Sequence, residues 1–213
     1  GDDEDSGNSP LSNPTIYNAT VIGRGANRGV LAKENTQGEI SNSIFANFPQ
    51  GVDVDTDRAV DAYNQWLNGD LVFRNNSFAG VADIFTVGNA TPSTTDANTF
   101  AADGNITDGG VIDFSFTIDP TTNAVSDAYN PVPEMGEAQS SITAPNDGFF
   151  DPVAFRGAFK PGAAAWTAGY TLGALLETDN SLIACPEDIN NDGTINVLDF
   201  LDLNSAFGTD CGI

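Results

Sequence analysis

From Leu11 onward, apolar residues occur in short runs separated by Gly, Asn and Pro. Short apolar runs bounded by turn-forming residues predict β-strands joined by tight bends. Three of these runs share one pattern: an apolar residue, any residue, an Asn, two small or mixed residues, two apolar residues and a final Gly or Asn. They span residues 16–23, 40–47 and 73–80.

The shared asparagines, Asn18, Asn42 and Asn75, lie 24 and 33 residues apart. A repeat of this length is typical of a solenoid, and the longer interval leaves room for an insertion at residues 57–69. In a parallel β-helix an Asn can occupy the left-handed bend of each coil and bond to the Asn of the next coil. The alternative is an Asn-rich β-sandwich in which three similar strands arise by chance. Candidates for a second strand face are residues 29–32, 51–54 and 82–85.

Composition changes the range of possible functions. The 213 residues carry 30 acidic and 7 basic side chains, a net charge of −23. This excludes a nucleic-acid binder, which needs clustered basic residues to displace counterions from phosphates. The absence of histidine excludes a Ser-His-Asp triad and imidazole-based zinc or copper sites. Carboxylates remain as the main chemistry, and they prefer hard cations such as calcium.

The chain divides into four predicted parts. Residues 1–10 form an acidic flexible tail, and residues 11–145 form the solenoid coils with loop insertions. Residues 146–184 are rich in aromatic residues and are expected to cap the solenoid, and residues 185–213 form a small C-terminal module. No apolar run approaches the ~20 residues of a membrane-spanning helix. The cluster expected to seal the core contains Phe149, Phe150, Phe155, Phe159, Trp166 and Tyr170; carbohydrate stacking by Trp66 or Trp166 is the alternative.

The segments YNATVIGRG, KENTQGEISNSIFANF and FRNNSFAGV resemble the last coils of right-handed parallel β-helix regions in large secreted bacterial proteins. Residues 147–159 with 166–170 are similar to the region that often follows such a helix. This resemblance implies a mainly β, right-handed parallel β-helix found outside the cell, and it implies no reaction. If the first coil is open, its unpaired backbone groups form a template for another copy of the chain, so a filament is expected.

Residues 188–199 match the spacing of an EF-hand-type calcium loop. Oxygen-bearing side chains stand at its first, third and fifth positions, Gly193 at the sixth permits the sharp turn, and Asp199 at the twelfth closes the shell. A helix is predicted to follow at residues 197–207, and Gly208 ends it.

An Asp at the twelfth position is the form seen in dockerin repeats, so residues 188–208 resemble a single dockerin-type repeat. A full dockerin has two such repeats, which places cohesin docking among the alternatives and leaves calcium binding intact. The resemblance implies six Ca²⁺ ligands, with Thr194 acting through its carbonyl oxygen: Asp188, Asn190, Asp192, Thr194, Asn196 and Asp199.

Cys185 and Cys211 bracket this module and allow one intramolecular disulfide. Closing a loop of about 25 residues is worth ~3 kcal/mol in the loop-entropy model. A module this small needs such a bond and a metal to hold its fold, and a disulfide favours an oxidising, extracellular setting.

Catalysis is the less favoured interpretation, and no catalytic residue is assigned. The candidate bases are Arg24, Arg28 and Lys33, and the run Asp53, Asp55 and Asp57 is more simply a solvated strand edge than a carboxylate site. The sequence therefore predicts a secreted, calcium-stabilised structural, adhesive or self-assembling protein. Its expected partners are copies of itself, other surface proteins or polysaccharide. Polysaccharide binding or cleavage is the alternative.

Overall fold

In a computed structural model of the chain, the described residues are 9–23, 27–56, 61–106, 131–133 and 142–167. They form nine short strands and two helices. The strands are β1 (Thr15–Tyr17), β2 (Thr20–Ile22), β3 (Arg28–Ala32), β4 (Gly38–Ser41), β5 (Ile44–Ala46), β6 (Gln50–Val54), β7 (Leu71–Arg74), β8 (Ser77–Ala79) and β9 (Asp83–Val87), and the helices are α1 (Ala62–Asn68) and α2 (Thr94–Ala102).

The strands build three parallel sheets, each with one strand from every coil. The first sheet has the order β1-β4-β7, the second β2-β5-β8 and the third β3-β6-β9. The first coil is therefore β1 to β3, the second β4 to β6 and the third β7 to β9. This confirms the predicted parallel β-helix and replaces the sandwich alternative, since consecutive strands belong to different sheets.

Side chains at equivalent positions of successive coils stack to form the core. Ile16 pairs with Ile40 and Ile40 with Phe73, so the first apolar residue of each repeat is in register. In the second sheet the rings of Phe45 and Phe78 stack with centroids 5.4 Å apart. The apolar core thus follows directly from the repeat that the sequence displays.

The three repeat asparagines occupy left-handed bends between the first and second sheets. Asn18, Asn42 and Asn75 have φ values of 56°, 51° and 55°. Asn tolerates this conformation better than other non-glycine residues. Asn75 Nδ2 donates to Asn42 Oδ1 at 2.8 Å, which confirms the predicted bond between coils, whereas Asn18 Nδ2 donates to the carbonyl of Phe155.

A second polar ladder runs along the same bend, one residue later in each coil. Ser43 Oγ accepts from the backbone N–H of Ala19, and Asn76 Oδ1 accepts from that of Ser43. Asn105 Oδ1 then accepts from the backbone N–H of Asn76. These bonds satisfy buried backbone donors that no strand partner reaches.

The insertion between the second and third coils contains α1. Asp61 caps its N-terminus by accepting from the backbone N–H of Asn64, and Gly69 ends it in a left-handed conformation. Trp66 is only 6% exposed and its ring lies 5.0 Å from that of Phe85. Trp66 is therefore a core residue, and the suggestion that it stacks on carbohydrate is wrong.

Helix α2 closes the core beyond the third coil. Phe100 is fully buried and stacks on Phe85 with centroids 4.4 Å apart. The chain then continues the stack, because the backbone N–H of Asn75 bonds to the carbonyl of Asp103 and that of Ile106 to the carbonyl of Asn76. The end of the solenoid after β9 is thus covered by α2 and by the start of another coil.

Residues 155–158 cross the coils from outside, and we call them the strap. The backbone N–H of Gly157 bonds to the carbonyl of Asn42, and that of Ala158 to Thr20 Oγ1. Gly157 has a φ of 80°, and a Cβ there would stand 2.6 Å from Ile44 Cδ1, so the strap requires glycine at this point. It buries the outer side of the second sheet.

The aromatic residues around the strap do not all seal the core as expected. Phe149 is 84% exposed and Trp166 is 59% exposed, so for these two rings that expectation is wrong. The reason is that Phe100 already occupies the end of the apolar stack.

The C-terminal module lies outside the described residues. This applies to all six expected calcium ligands, to Cys185 and Cys211, and to Tyr170, so these assignments stay predictions. Neither described helix has the length and apolar character needed to cross a membrane.

Candidate functional site

Glu39 forms the centre of a polar row on the outer face of the first sheet. Ile40 and Phe73 point into the core, so Glu39 and Arg74 point outward. Glu39 Oε1 accepts from the hydroxyl of Tyr17 at 2.6 Å and from that of Ser41 at 2.7 Å, and it lies 3.7 Å from Arg74 Nη1. The row therefore offers a partly exposed carboxylate and a guanidinium on adjacent strands.

Two groups of this row have displaced pKa values. Burial, and then the hydrogen bond to Glu39, raises the pKa of Tyr17 to about 12, because both favour the neutral phenol. Desolvation also raises the pKa of Asp103, which follows α2 and continues the stack beyond β7, while the charge of Arg74 lowers that pKa. Tyr17 thus stays a hydrogen-bond donor at neutral pH.

The outer face of the third sheet is a closed network. Asp53 is 2% exposed; its Oδ2 lies 3.2 Å from Arg28 Nε, and its Oδ1 accepts from Thr86 Oγ1 and from the backbone N–H of Asn89. The Oδ1 of Asn89 in turn accepts from Arg28 Nη2 and from the side chain of Gln50. These groups satisfy one another, which is typical of a structural network.

This burial corrects the prediction of a solvated Asp-x-Asp-x-Asp edge. Asp53 and Asp55 are 2% and 6% exposed, because the loop after β9 folds over the strand end. Arg28, a candidate base, is held by Asp53, and Arg24 and Asp57 lie outside the described residues. Lys33 is exposed and follows directly after β3. None of these residues is brought into a catalytic arrangement within the described ranges.

Two aromatic platforms flank the strap. In the first, Phe150 packs against Tyr17 at 5.3 Å and edge-on against Phe149 at 4.9 Å. In the second, Trp166 stacks on Phe159 with centroids 5.6 Å apart and an interplanar angle of 16°. The aromatic density near residue 150 is visible in the sequence, but its exposure is not.

Both platforms are held in place by hydrogen bonds. The backbone N–H groups of Phe149 and Phe150 donate to Asp147 Oδ1 at 2.9 and 3.3 Å, and these bonds lower the pKa of that carboxyl. Trp166 Nε1 donates to the carbonyl of Ala158 in the strap. The Asp147 bonds thus fix the turn that carries Phe149 and Phe150, and the Trp166 bond attaches its indole to the strap.

The site combines hydrogen-bonding groups with apolar ring faces. Sugars offer the same combination, with hydroxyl groups around a ring whose C–H faces are apolar. Within the described ranges no group of three or more carboxylate or cysteine side chains forms a metal cluster. A glycosidase needs two carboxyl groups that flank one glycosidic bond. Here Arg74 Nη1 lies 3.7 Å from Glu39 Oε1, and the charge of Arg74 opposes the rise in the pKa of Asp103.

Comparison with known proteins agrees with the architecture. Residues 1–115 match the family model described as a pectate-lyase like beta helix domain. Neither the curated proteins nor the solved structures include a match to this chain.

Proposed function

Because the chain belongs to the pectate-lyase-like β-helix domain family, we propose that it is an extracellular polysaccharide-binding protein. One observation carries the proposal: the exposed ring of Phe149 packs on Phe150, and Phe150 packs on Tyr17, the hydrogen-bond partner of the partly exposed Glu39 that lies beside Arg74 on the first sheet. The second sheet is covered by the strap, and the third is closed by its own network. Among the described surfaces, the first sheet and its aromatic neighbours are the best placed to bind a ligand.

Polysaccharide retention with a product assay tests this proposal. The purified chain is passed over immobilised neutral and acidic polysaccharides, and soluble products are assayed for new reducing ends and for unsaturated ends. We expect retention without product. Glu39→Gln should weaken retention, because it changes the acceptor for Tyr17 and Ser41, whereas Asn98→Ala on the exposed side of α2 should not. Failure to bind any polysaccharide contradicts the proposal, and products would make the protein an enzyme.

The C-terminal module belongs to the same proposal as a stabilising unit. Its calcium ligands and its disulfide are supported by sequence spacing alone. In an extracellular setting, calcium at millimolar concentration would be bound constantly and would act as a structural ion.

Self-association is a second candidate function, favoured by the asymmetry of the solenoid. Among the described strands β1, β2 and β3 are at sheet edges, and Ile16 is 39% exposed at that end, while α2 covers the opposite end. Pairing of two first coils would be more favourable than the fibre predicted from the sequence, because head-to-tail stacking needs both ends open.

Light scattering over a concentration series tests self-association. We expect dimers that Ile16→Lys abolishes, since the charge would be placed on the stacking surface. Leu67→Lys, at a 54% exposed position on α1, is the matched control and should leave the dimer intact. A monomer at every concentration would exclude this candidate.

A further inference from the structure

The sequence contains four Asn-x-Ser/Thr sequons, the acceptor motif for N-linked glycans when x is not proline. Their asparagines are Asn18, Asn75, Asn89 and Asn105. In an N-linked glycoprotein the sugar replaces one hydrogen of the side-chain amide. A glycan therefore fits the folded chain only where that nitrogen faces solvent and makes no internal bond, so the fold decides which of the four motifs can carry one.

Three of the four amides are used inside the solenoid. Asn105 is 5% exposed, and its Nδ2 donates to two main-chain carbonyls at 2.7 and 2.8 Å, which uses both hydrogens. Asn75 is 3% exposed, and its Nδ2 donates to the side chain of Asn42. Asn18 Nδ2 donates to the strap carbonyl of Phe155. A sugar on any of these nitrogens would displace bonds that hold the coils together.

The fourth amide, that of Asn89, has the opposite setting. It lies in the turn after β9, where Asn89, Ala90 and Thr91 are all exposed. Its Oδ1 accepts from Arg28 Nη2 at 3.1 Å and from Gln50 Nε2 at 2.8 Å. A guanidinium can only donate, so the oxygen faces Arg28 and the nitrogen is directed away from it. Within the described ranges, no hydrogen bond engages Asn89 Nδ2.

We propose that Asn89 is the attachment site of an N-linked glycan. Transfer from a polyprenyl-diphosphate-linked oligosaccharide forms a bond between Nδ2 and the anomeric carbon of the first sugar. The bond from that carbon to the diphosphate breaks, polyprenyl diphosphate leaves, and the amide loses one proton. The amide carbonyl is unchanged, so the bonds that Arg28 and Gln50 donate to Oδ1 are retained. The glycan is therefore compatible with the closed network of the third sheet.

The attachment site is separate from the proposed polysaccharide surface. The backbone N–H of Asn89 donates to Asp53 Oδ1 at 2.9 Å, and Asp53 belongs to the third sheet, whereas Glu39 and Arg74 belong to the first. The proposal thus goes beyond polysaccharide binding and does not depend on it.

Secretion of the full chain from a eukaryotic cell line, followed by peptide mass spectrometry of the folded product, tests the proposal. We expect a glycan at Asn89 and none at the other three sequons. Thr91→Ala removes the sequon hydroxyl without changing the Asn89 side chain, and it should abolish the glycan. Thr91→Ser keeps a hydroxyl and should retain the glycan. Thermal unfolding checks that each variant is folded.

Pro92 follows the sequon and restricts the backbone of Thr91, so Pro92→Ala is tested in parallel. The proposal expects the glycan on both chains, and a folded parent chain without it overturns the proposal even if Pro92→Ala carries it. A glycan on Asn75 or Asn105 of the folded chain also overturns it, because their amides are bonded internally. If the chain is not secreted, the purified folded protein is incubated with an oligosaccharyltransferase and a polyprenyl-diphosphate oligosaccharide, and the same outcomes apply.

Discussion

At the scale of single residues, asparagine has two separate uses in this protein. Asn42 and Asn75 hold left-handed bends and bond to each other. The side chains of Asn76 and Asn105 instead accept backbone N–H groups: Asn76 accepts from Ser43, and Asn105 accepts from Asn76. The repeat pattern predicted the first use. It missed the second, although the pair Asn75-Asn76 in the third repeat was a visible signal. A side chain's bond to the next coil depends on coil spacing, which local sequence does not state.

Replacing Asn75 tests the bend ladder. Asn75→Ala removes the donor to Asn42 and the acceptor of Arg156, and alanine is strained at a φ of 55°. We expect a loss of about 2–4 kcal/mol in the free energy of unfolding, measured by urea titration. Asn98→Ala, at an exposed position in α2, should change stability little. Equal effects of the two substitutions would contradict the ladder's role.

The raised pKa of Tyr17 predicts how the free energy of unfolding changes with pH. Its pKa is about 12 in the folded chain, mainly through burial, against about 10 when unfolded. Between these values the folded state keeps a proton that the unfolded state has lost. Its contribution to stability is therefore complete below about pH 10 and is lost as the pH rises towards about 12. Urea titrations at about pH 9 and about pH 11 should show a larger loss of stability for the unmodified chain than for Tyr17→Phe. Identical losses would contradict the raised pKa of Tyr17 in the folded chain.

At the scale of elements, the strands could be predicted from the sequence, whereas the segments that cover them, α2 and the strap, could not. The predicted second-face segments, residues 29–32, 51–54 and 82–85, overlap β3, β6 and β9 respectively. The periodic pattern was sufficient because equivalent positions of successive coils carry apolar residues in register, as Val30, Val52 and Phe85 do. Neither α2 as a core closure nor the strap was predicted, because each is a single segment with no repeat to reveal it.

Phe100 provides the test of the α2 closure. Phe100→Ala leaves a cavity against Phe73, Phe78 and Phe85, and large-to-small substitutions of this kind cost about 3–5 kcal/mol. We expect a corresponding decrease in the urea midpoint with an unchanged m-value. Leu67→Ala, on the exposed side of α1, should change stability by less than about 0.5 kcal/mol. A small effect of Phe100→Ala would show that α2 does not close the core.

At the scale of the whole molecule, the solenoid is a support that leaves one side available. Its first sheet carries the partly exposed Glu39 and Arg74, while the third sheet is closed by the network around Asp53. The net charge of −23 should weaken association between copies at low salt, because like charges repel with little screening.

The C-terminal calcium loop gives a prediction for the complete chain. If residues 188–199 bind Ca²⁺, free calcium at 100 times its dissociation constant stabilises that module by about 2.7 kcal/mol. A chelator should therefore lower the melting temperature measured by scanning calorimetry. Asp199→Ala should remove the response to chelator, and Asp5→Ala in the acidic tail should keep it. A melt unaffected by chelator in the unmodified chain would exclude the calcium site.

The sequence by itself determined the repeat, the strand positions, the left-handed asparagine bends and the acidic character of the surface. These follow from local preferences and composition, which every residue carries with it. Only the tertiary structure decided that Asp53 is buried, that Phe100 closes the core, and that Phe149 and Trp166 remain exposed. These outcomes depend on contacts between distant segments, such as the bond from Asn18 to Phe155 across 137 residues. No local pattern specifies such contacts, because they depend on which surfaces the rest of the chain has already covered.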